Sequence, residues 1–147
     1  GLSCEQNLKA IAEIVIKNHE QRQNIIENLL TEFSLNDVRR VLAKNLSGGQ
    51  KKKLVIARSL INKPKILLMD EVFSAIDPIT IEVIKEIIVN LQKRGISILI
   101  TDHAFDNVLQ ISDKVYILAD GQIVSSGKPQ EIVKDQQARK IYFGDTY

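Results

Sequence analysis

Cysteine is almost absent: Cys4 stands alone among 147 residues. One thiol excludes an internal disulfide and gives no zinc-ligand spacing, so Cys4 is expected as an ordinary helix residue. Histidine is nearly as scarce, with only His19 and His103 present. That excludes a histidine metal cluster, and His19 is expected as an exposed polar residue at a helix end. No apolar run is long enough to span a bilayer, and the first residues do not read as a signal peptide; a cytoplasmic chain without a membrane span is expected. Neither sign of charge dominates. The formal net charge of +2 is too small to argue for a nucleic-acid partner. Glycine and proline are missing from Leu2 to Leu46, which suits a compact all-helical lobe. What is present is 44% hydrophobic and 26% charged, the balance of a soluble globular domain with a sizeable core.

The pattern divides into a helical first part and an alternating second part. Ser3 with Gln6 is a capping-box signature, followed by Leu8, Ile11 and Val15 on one face with Ile14 beside them. After a polar break at 17–22, Ile25, Ile26, Leu29, Leu30 and Phe33 form the stripe of a second helix. Leu35-Asn36-Asp37-Val38 begins a further short turn. A helix from Gly48 carries Leu54, Ala57, Leu60 and Ile61 inward. Lys51, Lys52, Lys53 and Arg58 face elsewhere; a solvated face is expected for Lys52, while Lys51 and Lys53 stay open between that and a field around a phosphate. Ile66 to Met69 reads as a strand buried on both faces. Asp77 then caps a helix with Pro78 at its first position and Ile81, Ile84, Ile87, Ile88 and Leu91 as its stripe, stopped by Gly95. Ile96 to Ile100 reads as a second buried strand, and strand–helix–strand of this length implies a right-handed parallel crossover. A short helix follows with Phe105, Val108 and Leu109. Asp120-Gly121 between Val115–Leu118 and Gln122–Val124 is a hairpin signal, expected to add antiparallel strands to the sheet. Pro129 opens a helix, and a last helical turn is expected from Ala138 to Phe143.

Two stretches carry chemistry. In Leu46-Ser47-Gly48-Gly49-Gln50, Ser47 can cap a helix, the glycines allow close backbone approach, and the helix N-terminus supplies N–H donors and the positive dipole end to an anion. The run Ile66-Leu67-Leu68-Met69 ends in Asp70-Glu71, one carboxylate for a metal ion and one for a water. The pair of stretches points to nucleotide hydrolysis, which needs charge neutralisation and a positioned water.

These strings, with Ser74-Ala75-Ile76-Asp77 and the later Thr101-Asp102-His103, resemble the ATP-binding cassette (ABC) ATPases in order and separation. The resemblance covers nearly the whole chain. It implies an α/β fold: part of a P-loop-type ATPase domain, with a helical subdomain, a mainly parallel sheet and a C-terminal antiparallel hairpin. It implies ATP as substrate and Mg²⁺ held at Asp70, Glu71 polarising the attacking water, and His103 contacting the γ-phosphate and that water. It also implies that Ser47, Gly48, Gly49 and Gln50 contact ATP held by a second, identical subunit, and that Asp77 reaches across that interface. Such a subunit works at the cytoplasmic face of the inner membrane on membrane-spanning permease partners. Within the family, Phe73 to Ile79, Ile100 to His103 and the tail Val133 to Tyr147, with Ile141-Tyr142-Phe143-Gly144-Asp145, resemble ATPases of lipopolysaccharide-export transporters. Branched-chain amino-acid importers and soluble non-transport ABC proteins are the alternatives.

Two departures stand out. Val72 follows the acids where the family usually has proline. And no G-x-x-x-x-G-K-[ST] phosphate loop occurs: at the one Gly-Lys, Gly127-Lys128, Gln122 holds the place of the first glycine and Pro129 that of the hydroxyl residue. The expectation is therefore the C-terminal part of the domain, with 1–63 a helical signature subdomain and 64–147 the rest of the ATPase core, inactive by itself.

Overall fold

The computed structural model describes residues 1–138; the turn expected at Ala138 to Phe143 and the tail beyond it lie largely outside them. The chain divides into two compact units, Gly1–Thr101 and Asp102–Tyr147.

The first unit opens with helix α1 (Cys4–Val15), α2 (His19–Glu32) and α3 (Gly48–Leu60), with 3₁₀ turns at Asn36–Val38 and Ala43–Asn45 between the last two. The expected capping box closes α1: Gln6 N donates to Ser3 Oγ at 3.2 Å, and Ser3 N to Gln6 Oε1 at 2.8 Å. The buried stripe of α1 is Cys4, Leu8 and Ala12. Leu8 is buried as expected and Ile11 half-buried, but Cys4 and Ala12 complete the row while Ile14 and Val15 are exposed. Ile26, Leu29 and Leu30 of α2 with Phe33 just past its end, and Leu54, Ala57, Leu60 and Ile61 around α3, are buried as expected. Helix α2 ends on Ser34 in the left-handed region, φ +52. Leu35 N donates to Leu30 O at 2.8 Å and Ser34 N to Thr31 O at 3.1 Å, a Schellman closure built on serine rather than glycine.

Strand β1 (Ile66–Asp70), α4 (Pro78–Lys93) and β2 (Ser97–Thr101) form the expected parallel crossover. Asp77 caps α4, accepting from Thr80 N at 3.0 Å. Gly95, at φ +85, ends it, with Ile96 N reaching Leu91 O at 3.2 Å. Register pairs Leu68 with Leu99 and Asp70 with Thr101. The strands are not buried on both faces. Leu67 is 7% exposed, but Ile66, Leu68 and Leu99 on the opposite face are 63%, 76% and 56% exposed. Period-two geometry sends alternate residues to opposite faces, and within residues 1–101 only one face of this pair is covered. Continuous apolar composition therefore overstated the burial.

In the second unit, α5 (Phe105–Ile111) precedes β3 (Val115–Ala119) and β4 (Gln122–Gly127), followed by the short helices α6 (Pro129–Ile132) and α7 (Gln136–Ala138). Asp120 and Gly121 take φ +49 and +75, as a two-residue type I′ hairpin turn requires. The hairpin is a sheet of its own and does not extend the parallel one. Val115, Ile117, Ile132 and Ala138 form its core, with Phe105, Leu109 and Val124 packed against them. No helix among the described residues is long and apolar enough to cross a membrane.

Candidate functional site

The ends of β1 and β2 build an acid corner. In-register pairing sets Asp70 beside Thr101, and the Thr101 hydroxyl donates to Asp70 Oδ1. Glu71 N donates to Thr101 O at 2.7 Å, which carries the chain one step past the strand before it turns. Glu71 itself sits at φ +47, a region that costs a non-glycine residue about 1–2 kcal/mol and persists where neighbours over-determine it. Those neighbours are present. Ser74 N donates to Glu71 O at 3.2 Å, Ser74 Oγ to Glu71 Oε2 at 3.4 Å, and Lys52 Nζ, from α3, to the same Glu71 carbonyl. Val72 and Phe73 are buried just beyond. Valine places none of the restriction on residue 71 that a proline would. The carboxylates of Asp70 and Glu71 are exposed at the surface while the backbone between them is fixed.

Lys52 corrects an expectation. It is half-buried rather than on a solvated face, and its ammonium is engaged at Glu71. The Thr101 hydroxyl bond to Asp70 follows from strand register.

Thr101 occupies one oxygen of Asp70 and leaves the other open. A hard carboxylate oxygen suits Mg²⁺, which takes one or two protein carboxylates and fills its shell with water and phosphate oxygens. Asp70 fits that mode. Among the described residues no group of three or more His, Cys, Asp or Glu forms a protein cage for a metal.

A second corner lies where α3 and α4 begin. Ser47 caps α3, accepting from Gln50 N at 3.2 Å, and the Gln50 side chain returns to Ser47 N at 2.9 Å. This capping box was legible as S-x-x-Q; it engages Gln50 within its own helix end. Gly49 is buried, and a Cβ there would lie 2.5 Å from Thr80 Cγ2, while one on Gly48 would lie 2.8 Å from Ala75 O. The two glycines thus let the start of α3 seat directly on the start of α4. Asp77 is held twice by Thr80, from the hydroxyl at 2.5 Å and the amide at 3.0 Å. The hydroxyl and then the amide keep its carboxyl below the ordinary range, hence ionised at neutral pH. Ala75, at φ +58, turns the chain between the two corners.

In the second unit, the buried Asp102 carboxylate accepts from Ala104 N at 2.9 Å. His103 Nδ1 stands 3.8 Å from Asp102 Oδ1, with its side chain 73% exposed. The first unit thus gathers Asp70 and Glu71 at one corner, and Ser47, Gly48, Gly49, Gln50 and Asp77 at another; His103 belongs to the second unit.

Residues 2–74 match the family model described as ABC transporter. The lipopolysaccharide export system ATP-binding protein LptB of Haemophilus influenzae is 36% identical over 147 residues, 99% of this chain and 61% of the relative. LptB of Acidithiobacillus ferridurans is 40% identical over 146 residues, again 99% and 61%. Among solved structures, a nucleotide-free ATP-binding cassette from an ABC transporter superposes with a TM-score of 0.84 at 27% identity, covering 98% of this chain and 64% of that one. The ADP conformation of an ATP-binding cassette gives a TM-score of 0.80 at 27% identity, covering 98% and 63%. The chain therefore spans 61% of the length of these curated relatives, and over nearly its whole length it is similar to ATP-binding proteins of ABC transporters.

Proposed function

We propose that this chain carries the acid and signature portions of an ATP-hydrolysing ABC transporter subunit, working with a phosphate-binding loop from outside these 147 residues. The observation that supports this most is the acid corner: Asp70 and Glu71 stand exposed on a backbone fixed by Thr101, Ser74 and Lys52. Asp70 would hold Mg²⁺, and the ion would neutralise charge on the nucleotide phosphates. Glu71 accepts a proton from the attacking water, with Ser74 orienting its carboxylate. His103 contacts the γ-phosphate. Ser47, Gly48, Gly49 and Gln50 present the N-terminus of α3 to ATP bound by a second copy, and Asp77 contributes at that interface. Residues 1–63 act as the signature subdomain and 64–147 as core.

The family implies a homodimer docked on membrane-spanning permease subunits at the cytoplasmic face of the inner membrane. Likeness to the LptB proteins supports lipopolysaccharide export as the process driven.

The test compares ATP turnover of the loop-containing subunit with its Glu71→Gln form. An amide cannot take the proton, so turnover falls by about 10²–10⁴-fold with ATP affinity retained. Near wild-type turnover in Glu71→Gln overturns the assignment. The 147-residue chain alone neither binds ATP tightly nor turns it over, and turnover by it would remove the need for an external loop.

A further inference from the structure

We propose that Lys52 is a positioning residue for Glu71: its ammonium pins the backbone of residue 71 in the conformation that presents the carboxylate. The proposal rests on the reading of Glu71 as the proton acceptor. Glu71 is left-handed, at φ +47, so its backbone tends to relax out of this region unless held. Two of the holds are backbone hydrogen bonds: to the strand neighbour Thr101, through Glu71 N at 2.7 Å, and from Ser74, through Glu71 O at 3.2 Å. Lys52 is the side-chain hold on this backbone, from 19 positions away. It is also the charged one, and a charged donor on a neutral acceptor strengthens the bond.

Its origin gives it a second consequence. Lys52 lies one turn into α3, the helix capped by Ser47 and opened by Gly48 and Gly49. A displacement of the signature end of α3 is therefore transmitted through Lys52 to the carbonyl of the acid. The same side chain links the start of α3, where the signature lies, to the residue that activates water.

Three substitutions in the ATP-hydrolysing subunit separate the possibilities. Lys52→Met keeps the length and apolar stem and removes the charge; Lys52→Arg keeps the charge and reach; Glu71→Gln reports on the acid itself. Misplacing a catalytic group costs up to about a hundredfold, so Lys52→Met lowers kcat by about 10- to 100-fold and leaves KM for ATP within about twofold. Lys52→Arg restores most of kcat. A merely structural lysine does not produce that split and rescue. A Lys52→Met enzyme at wild-type kcat beside a dead Glu71→Gln enzyme overturns the proposal and leaves Glu71 intact; an active Glu71→Gln enzyme overturns the reading of Glu71 instead. A rise in KM alone makes Lys52 a nucleotide contact and also overturns the proposal. If Lys52→Met fails to fold, Lys52→Gln takes its place. Hydrogen exchange of the 147-residue chain gives an activity-free readout: amides at 71–75 exchange about tenfold faster in the folded variant while those of α1 do not change, and unaltered exchange at 71–75 counts against the hold.

Discussion

Gly49 is packed against Thr80 so closely that a Cβ on the glycine would lie 2.5 Å from Thr80 Cγ2 and 3.3 Å from its Cβ. Thr80 is β-branched and its hydroxyl is tied to Asp77, so it cannot swing aside without giving up that bond. Gly49→Ala therefore destabilises the chain by about 1–3 kcal/mol through overpacking. Removing the obstructing methyl makes room, so the Gly49→Ala/Thr80→Ala pair is more stable than the sum of the single changes by at least about 0.5 kcal/mol. Denaturant unfolding of the four proteins measures this, and additive effects would mean that the close approach is not the cause.

Acid sensitivity is expected from Glu5. Arg39 donates to it through Nε at 3.3 Å and Nη2 at 3.1 Å, and Lys9 lies 2.8 Å from it. Arg39, then Lys9, lower its pKa to about 2. The folded state thus favours the ionised carboxylate, and the contribution is complete above the ordinary carboxylate range and lost as pH falls from there toward about 2. Arg39 also holds Glu27 at 2.6 Å and the cluster is partly solvated, so Glu5→Gln costs about 1 kcal/mol at neutral pH. Unfolding free energies of the two proteins converge near the acid end; a gap that does not change with pH contradicts the assignment.

The apolar face of the strand pair has its own consequence. Ile66, Leu68 and Leu99 lie together in register on the uncovered side, and contiguous apolar surface of this kind draws association. Light scattering of the 147-residue chain across a dilution series shows mass rising with concentration, and Leu68→Lys shifts it toward monomer. A monomer at every concentration contradicts this. So does an unchanged series for Leu68→Lys.

Local signals carried most of the fold. Ser3, Ser47 and Asp77 announced their helix starts, Gly95 the end of α4, and Asp120-Gly121 the hairpin, because each is a backbone requirement met within four residues. Burial was less legible, because it depends on what covers a face. Composition shows that Leu68 and Leu99 are apolar but not which side of the pair is packed, and for the same reason Cys4 and Ala12 complete the buried row of α1 while Val15 is exposed. At the site, the acids and the glycines were evident as motifs. The contacts that hold them were not: Lys52 reaches Glu71 across 19 positions and Thr101 reaches Asp70 across 31, and no local pattern encodes either. Ser34 closing α2 was hidden because glycine is the usual mark of that turn.

In the proposed function, the acid corner and the signature of this chain act on ATP shared between two copies. The most direct measurement is the solution mass of the Glu71→Gln subunit, phosphate-binding loop included, with and without ATP. With the proton acceptor gone and the signature intact, ATP is held unhydrolysed between two copies. The mass doubles on adding ATP and stays at the monomer value with ADP; changing Ser47 to arginine, which blocks the start of α3, prevents the doubling. A Glu71→Gln subunit that stays monomeric at saturating ATP, or that dimerises equally well with Ser47→Arg, contradicts the account.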